Sequence, residues 1–343
     1  MATVGSNAYT MTDWIKRNNP DGTFAKVAEI LSRSNPILQD APMVEANGVT
    51  THRTTVRAGL PGVTWRRFNE GVQPTKSIVR QVDDTIGMLE AYAEVDKDLA
   101  DLNGNTAEFR MSEDVPFLES MTQAIAQTFF YGNVGINPER YHGLAPRYST
   151  LGTSATADTV SAYNVFGAGG AGSDNTSLWL VGWSDQTVHF TFPKGMKGSA
   201  GLKSEDTNGG NVVTLLDASN GRYEGYRRHY QSKLGLVVRD WRYLSRLANI
   251  DVSDLYTAGK ATDTAARLIP EMIRMMNRIP NIAAVKPVFY CNRDVKTALD
   301  IQAQNKSNVY LTVKEYAGEM VTMFRNIPVK QCDALVNNES LVS

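Results

Sequence analysis

Cysteine is nearly absent from this sequence: Cys291 and Cys332 are the only two in 343 residues. Two thiols make no disulfide framework, which fits a reducing compartment. Long apolar runs are missing too. None approaches the roughly 20 residues a helix needs to cross a bilayer, so no membrane-spanning helix is expected. The opening stretch MATVGSNAYTMTDWIKRNN has no basic start followed by an apolar run, and no signal peptide is expected. Excess charge of either sign is lacking. With 35 Lys and Arg against 36 Asp and Glu the net charge is −1, so no global basic field recruits nucleic acid or anionic membrane. Histidine is scarce, and His52, His142, His189 and His229 show no paired ligand spacing, so no metal is expected.

Catalytic and cofactor patterns are equally thin. GAGGAG at 167–172 has the G-x-G-x-x-G spacing, but SDNTSLWL follows it, and a dinucleotide fingerprint needs a helix there. Gly259-Lys260 is followed by Ala261, so no phosphate-binding loop of the G-K-[ST] type exists. Cys291 ends an apolar strand-like run and reads as a buried inert thiol rather than a nucleophile. Asp83-Asp84 and Glu113-Asp114 read as surface and helix-start charges rather than a general acid/base pair. The stretch 222–246 combines Arg with Tyr223, Tyr226, Tyr230, Trp241 and Tyr243. Arg and Tyr suit protein interfaces as well as nucleic acid. No catalytic residue, cofactor or metal site is expected, and the chain reads as a non-enzyme.

What is present is an ordinary globular composition, 42% hydrophobic and 21% charged, in a chain long enough for one large or two modest cores. One segment is unusual. GVTTHRTTVRAGLPGVTWRRFNEG at 48–71 reads as two extended arms joined by a tight turn at 58–62. Neither arm has an apolar face: Thr50, His52, Thr54 and Val56 line one side of the first, and Thr51, Arg53, Thr55 and Arg57 the other. A two-stranded hairpin alone is at best marginally stable in water, so this one needs a surface to lie on. Charge is also segregated here. Residues 48–80 hold six basic side chains against Glu70 alone, while 83–119 hold eleven acids against Lys97 and Arg110. Two readings follow: two solvated faces adjacent in sequence, or a basic projection that docks on the acidic surface of another copy.

Around this hairpin, 21–36 (DGTFAKVAEILSRSNP) holds a short amphipathic helix, with Phe24, Val27, Ala28 and Leu31 on one face and Asn35-Pro36 ending it. It cannot form a core alone and must lie along something else. Residues 112–133 give the clearest helix. Ser112 is placed to cap it, Pro116 sits in its first turn, and Val115, Leu118, Met121, Ile125 and Phe129 form a stripe expected to pack in the core. Strands are expected in SLWLVGW, TVHFTF, NVVTLL and GLVVRDWRYL, and a helix over 263–278 interrupted at Pro270. KPVFYC reads as a buried strand followed by an Asn292 cap and a helix, and the C-terminal region as two short strands across a turn. Strands and helices mix without regular alternation, which predicts an α+β fold.

These segments, in this order, resemble the major capsid proteins of tailed bacteriophages, with the Hong-Kong-ninety-seven-type fold. The likeness rests on EILSRSNPILQDAPMVEANG, THRTTVRAGLPGVTWRRFNEGVQPTKS, GMLEAYAEVDKDLADLNGNTAEFR and FFYGN; it covers most of the chain and is strongest over 27–144. The resemblance implies an N-terminal arm at 1–47, an extended hairpin loop at 48–82, and a peripheral domain with a long spine helix at 83–145. Residues 146–343 are then mainly an axial domain, with part of 222–250 open between the two. It implies intersubunit contacts through Arg53, Arg57, Leu60, Pro61, Trp65, Arg66 and Arg67 of the hairpin, and through Phe24, Val27 and Leu31 of the arm.

The partners implied are other copies in hexamers and pentamers, a scaffolding protein and portal during assembly, a decoration protein, and packaged double-stranded DNA held by weak nonspecific contact, with no membrane. The location implied is the virion capsid, assembled in the host bacterial cytoplasm. Many relatives begin with a long scaffolding segment; none fits before Asp21, so a separate scaffolding protein is expected. Some relatives crosslink a hairpin Lys to an Asn of another subunit. The tip AGLPG has no Lys, so mature particles are expected to give one single-chain band on a denaturing gel, and a covalent ladder would refute this. An encapsulin-type compartment and an enzyme with an unseen site are the alternative readings.

Overall fold

The computed structural model describes residues 33, 35–102, 106–153, 155–156, 158, 160–196, 201–217, 219–255, 268–303, 311–316 and 319–343. A short helix α1 (Ile37–Asp40) and strand β1 (Met43–Glu45) open it, and β2 (Thr51–Gly59) pairs antiparallel with the long β3 (Ile78–Asp96). Helices α2 (Lys97–Asp101) and α3 (Thr106–Tyr131) follow. Next come β4 (Val165–Gly167), β5 (Asn175–Trp183), β6 (Val188–Phe192), β7 (Leu202–Asp206), β8 (Val213–Leu216), β9 (Arg222–Val238) and β10 (Leu244–Asp251). The chain ends with α4 (Leu268–Arg278), β11 (Lys286–Cys291), α5 (Arg293–Ala303), β12 (Leu311–Tyr316), β13 (Glu319–Phe324) and β14 (Ile327–Gln331). Helices and strands mix without regular alternation, as expected for α+β.

Two compact units emerge. The larger holds Ser34–Gly87, Ala126–Ala200 and Leu234–Ser343; the smaller holds Met88–Ile125 and Gly201–Lys233. The smaller unit thus joins two stretches far apart in sequence. Three long elements, β3, α3 and β9, run through both units, so a cut made in sequence order cannot separate them.

The larger unit is built on β5. All nine of its residues are buried, because it pairs β10 and β11 antiparallel and β6 parallel, and both its faces are covered. Its side chains alternate with period two. Trp179, Val181 and Trp183 join Phe129, Phe130, Tyr148 and Phe190 on one face; Leu178 and Leu180 join Met272, Met275, Val295 and Leu299 from α4 and α5 on the other. The Asn292 side chain caps α5 by accepting from Val295 N at 2.9 Å, as its place before the helix predicts. β13 and β14 are joined through Arg325 and Asn326, both at positive φ, a two-residue turn whose twist matches the flanking strands.

The smaller unit packs α2 and the first part of α3 on β3 and β9. Asp96 caps α2 through Asp98 N at 2.8 Å and Leu99 N at 3.3 Å. Ala93, Met121 and Tyr230 form one apolar cluster with Phe117; Val95, Ala100 and Phe109 form another with Tyr226. β7 and β8 extend the unit by pairing antiparallel with β9.

Three expectations change. First, the long helix starts at Thr106, not Ser112, and Pro116 lies inside it. Burial of Phe109 against Val95 and Ala100 holds extra N-terminal turns that Pro116 would otherwise disfavour, and Ser112 Oγ donates to Phe109 O at 2.8 Å instead of capping. Second, the stripe on this helix is covered only from Met121 onward: Met121, Ile125 and Phe129 are buried, whereas Val115 and Leu118 are exposed. Third, GLVVRDWRYL is not one strand. β9 stops at Val238, and Asp240 accepts from Arg242 N at 3.1 Å to start a one-turn 3₁₀ helix before β10.

Candidate assembly surface

The hairpin of β2 and β3 is longer and differently closed than the sequence predicts. Gly59 pairs with Ile78, so the connection spans 60–77 rather than a tight turn at 58–62. Residues 63–71 pair with no strand; Trp65 and Phe68 favour pleated backbone, but no edge is offered to them. Thr75 Oγ1 donates to Gly62 O at 2.7 Å and ties the two sides together, and a turn at Arg67–Glu70 with Asn69 at φ 65° reverses the chain.

The tip is apolar and uncovered. Leu60 is 81% exposed, Val63 94%, Trp65 101% and Phe68 95%. Pro61, Arg57, Arg66 and Arg67 are exposed beside them. Single exposed apolar residues are ordinary, but four large ones within nine positions mark an interaction surface. Val63 and Phe68 were absent from the expected contact set; their signal was two large apolar side chains inside an otherwise polar stretch.

Arg53 is placed differently from the other expected contacts. It stands opposite Asp83 in the strand register and forks onto it, Nε at 2.7 Å and NH2 at 2.8 Å. That hydrogen bond raises the Arg53 pKa and lowers that of Asp83. Asn47 binds the backbone of Arg53 in both directions, at 2.7 and 2.9 Å. Arg53 thus fixes the hairpin's own register.

The root is stiff. Asp84 is buried and pairs with Arg147 at 2.7 Å, and Arg147 also donates to His142 O at 3.2 Å. Gly235 of β9 passes so close that a Cβ there would stand 2.8 Å from Thr85 O, and only glycine permits this approach. The chain entering the hairpin is anchored separately. Asp40 accepts from Lys286 Nζ at 3.0 Å, Lys330 Nζ at 2.8 Å and Tyr290 OH at 2.8 Å. The partners of Asp84 and Asp40 lie 63 to 290 residues away, beyond any local pattern.

Beside the root, His189 is buried, with its ring 6.0 Å edge-on from His52, and neither of its ring nitrogens makes a well-formed hydrogen bond. Burial, then His52 and Arg239, push its pKa down to about 4, against a weaker upward pull from Asp185 and the Ser184 backbone. Burial also lowers His52 and His142. In each case the unfolded chain takes up the proton first as pH falls, so stability drops through the window below about 6.5. Unfolding by urea is expected to become easier by about 2 kcal/mol between pH 7 and pH 5, since one pKa unit corresponds to about 1.4 kcal/mol. His189→Gln should flatten that slope; an unchanged slope would show that His189 does not carry it.

Part of the acidic stretch 83–119 is matched within the chain. Besides Asp83 and Asp84, Glu94 pairs with Arg227 at 2.6 Å, Asp114 with Arg228 at 2.5 Å, and Glu90 with His229 at 3.4 Å. β9 supplies the cations for Glu94 and Asp114. The same pairs, with Arg242 on Asp240 and Arg246 on Glu339, engage Arg227, Arg228, Arg242 and Arg246 of the stretch 222–246. Cys291 and Cys332 are buried; burial raises both thiols, Cys332 to about 12. Among the described residues no group of three or more His, Cys, Asp or Glu could hold a metal ion. The expected arm contacts Phe24, Val27 and Leu31 lie outside the described residues.

The surface is thus a projection anchored at its root, with an apolar, basic tip. The family model for major capsid protein GP7 matches residues 19–343. The chain belongs to the GP7 major capsid protein family. A chain of the bacteriophage Epsilon15 structure is 32% identical, with 100% of this capsid protein and 99% of that chain covered and a TM-score of 0.74. Weaker likenesses include the bacteriophage JBD30 capsid, at 8% identity, 90% and 95% coverage and TM-score 0.45. The SrpI encapsulin complex from Synechococcus elongatus matches at 10% identity, 71% and 96% coverage and TM-score 0.43. No curated protein sequence matches it. The capsid protein has the tailed-phage capsid fold, and its role is structural: it forms the shell of the virion.

Proposed function

We propose that this capsid protein closes an icosahedral shell of hexamers and pentamers around double-stranded phage DNA, each hairpin lying across a neighbouring copy. The observation that carries this is the stiff root joined to an uncovered tip of Leu60, Val63, Trp65 and Phe68. Repeated interfaces between identical chains must close while tolerating small changes of angle, and a projection keeps its contacts while the body tilts. Leu60, Pro61, Trp65, Arg57, Arg66 and Arg67 make these contacts, and the arm with Phe24, Val27 and Leu31 is the second covering element. The smaller unit corresponds to the peripheral domain and the larger to the axial domain.

Near-neutral net charge suits dense packing and weak, nonspecific contact with the genome. Assembly takes place in the host bacterial cytoplasm, with a portal and a scaffolding protein; the scaffold keeps the exposed tips from pairing wrongly, and a decoration protein binds the finished shell. The protein performs no catalysis.

The test is electron microscopy of coat coexpressed with its scaffolding protein. Closed icosahedral shells with hairpins crossing between copies are expected. Small soluble species alone, with scaffold present, would overturn the reading.

A further inference from the structure

The glycine run at 167–172 links β4 to β5 and lies against the end of β10, within the larger unit. Ala168 N donates to Ala248 O at 2.9 Å, and Gly170 N to Asn249 O at 2.9 Å. Two carboxylates stand over this link: Asp174 closes it, and Asp251 ends β10. They share one donor. Ser253 N lies 3.0 Å from Asp174 Oδ2 and 3.1 Å from Asp251 Oδ1, and Ser253 Oγ donates to the same Asp251 oxygen at 2.7 Å. One oxygen of each carboxylate is thus engaged. The other two, Asp174 Oδ1 and Asp251 Oδ2, converge above Gly172, 2.9 and 3.0 Å from where a Cβ on that residue would stand.

Two anions side by side repel, and each raises the cost of ionising the other. Among the described residues no Lys, Arg or His pairs with either carboxylate. A second observation points the same way. Asn175 is 1% exposed, yet its Oδ1 has no hydrogen-bond partner, whereas buried polar atoms ordinarily have one. Its Nδ2 donates to Gly172 O at 2.6 Å, so the amide is fastened to the same glycine. Its Oδ1 turns along the loop to 2.8 Å from the Cβ position of Gly170. Asn175 also stands opposite Asp251 in the β5–β10 register. Cross-strand partners put their side chains on one face, with Cβ atoms about 4.5–5.5 Å apart. The amide oxygen and the two carboxylate oxygens therefore face the same glycine loop.

We propose that Asp174, Asp251 and Asn175, with the glycine loop, hold a calcium ion that ties the β4–β5 link to the end of β10. The donors are all oxygen, two carboxylates and an amide, without imidazole or thiolate, which suits a hard cation rather than zinc or copper. Calcium ligated at about 2.3–2.6 Å bridges oxygens up to about 5 Å apart and accepts irregular geometry. Asp174 and Asp251 are half-buried, which leaves access for the waters that complete its shell. Magnesium demands a near-ideal octahedron at about 2.0–2.1 Å and gives up its waters reluctantly, so it binds here more weakly. Two carboxylates alone place the site among the weaker calcium sites, with Kd on the order of 10⁻⁴ to 10⁻³ M. Glycine at 172 belongs to the site, because a Cβ there would stand where the two carboxylate oxygens converge.

The experiment takes the soluble full chain, stripped with EGTA, titrates it with CaCl₂ in a calorimeter, and reads urea unfolding with and without the salt. The expected result is one ion per chain and a folded-to-unfolded ratio raised about 10- to 100-fold at about 10 mM CaCl₂. Asp174→Asn with Asp251→Asn keeps the acceptors for Ser253 and removes the charge, and it should lose both the heat and the stabilisation. Gly172→Ala puts a Cβ against the converging oxygens without changing any charge; it too should lose both, and it decides the matter if the double variant does not fold. No heat and no stabilisation in the parent would overturn the proposal. So would stabilisation that persists in the variants, which places calcium elsewhere, or an equal effect of MgCl₂, which marks general screening of charge. All these readings are made on soluble coat, so failure of the calcium site and failure of shell closure are separable.

Discussion

Trp65→Ser combined with Phe68→Ser is expected to abolish shell closure while leaving the folded chain as stable as before. The two halves of this result come from one fact: both side chains are almost wholly exposed in the isolated chain. Removing them takes nothing from the core, and substitutions at such positions usually change folding by no more than about 0.5 kcal/mol. In a shell each would be buried against a neighbour, where covering a large apolar side chain contributes about 1.5–3 kcal/mol. Losing both weakens every contact by roughly 3–6 kcal/mol, or about 10² to 10⁴ in its equilibrium constant at 1.4 kcal/mol per tenfold. That loss repeats at every hairpin. Sedimentation of coat with scaffold reads assembly, and urea unfolding of the soluble chain reads stability. Normal shells would show that the tip carries no intersubunit contact; a large fall in the urea midpoint would show that it packs at home.

Glu339→Ala is expected to destabilise the larger unit by about 3–5 kcal/mol, the cost of stranding a buried charge. Arg246 and Glu339 pair at 2.8 Å with both side chains almost fully buried. Arg246 also donates to Ser177 Oγ at 3.1 Å and Tyr148 O at 2.8 Å, and its guanidinium lies 5.0 Å over Trp179. Tyr131 OH reaches the other oxygen of Glu339 at 2.5 Å. None of these partners can neutralise Arg246 once the carboxylate is gone. Whole domains are stable by only about 5–15 kcal/mol, so the variant should unfold at clearly lower urea. Glu339→Gln keeps an acceptor and should fall between the two. A midpoint within 1 kcal/mol of the parent would mean that water reaches Arg246.

The sequence showed most clearly what depends on neighbours in the chain. β5 was visible as SLWLVGW because a strand covered on both faces is apolar throughout. The Asn292 cap and the β13–β14 turn were visible because capping and turn chemistry are local. The hairpin was visible as a projection, but its tip was misread, since Thr, Val, Trp and Phe favour pleated backbone whether or not an edge waits for them. Ser112 and Pro116 looked like a helix start because the contact that overrides them, Phe109 on Val95 and Ala100, links distant residues. The ion pairs of Asp40, Asp84 and Glu339 were invisible for the same reason. So was the split stripe of α3, because periodicity says which side chains share a face and not how far its cover extends.

The two anchorages on the larger unit have a mechanical consequence. The hairpin is held by Asp84 on Arg147, while the chain ahead of it is held by Asp40 on Lys286 and Lys330. A pull on the segment before Asp40 is taken up by β11 and β14, the strands that carry those lysines. A pull on the hairpin is taken up at Arg147. The two attachments thus meet different side chains of the same unit, as two rivets through one plate do.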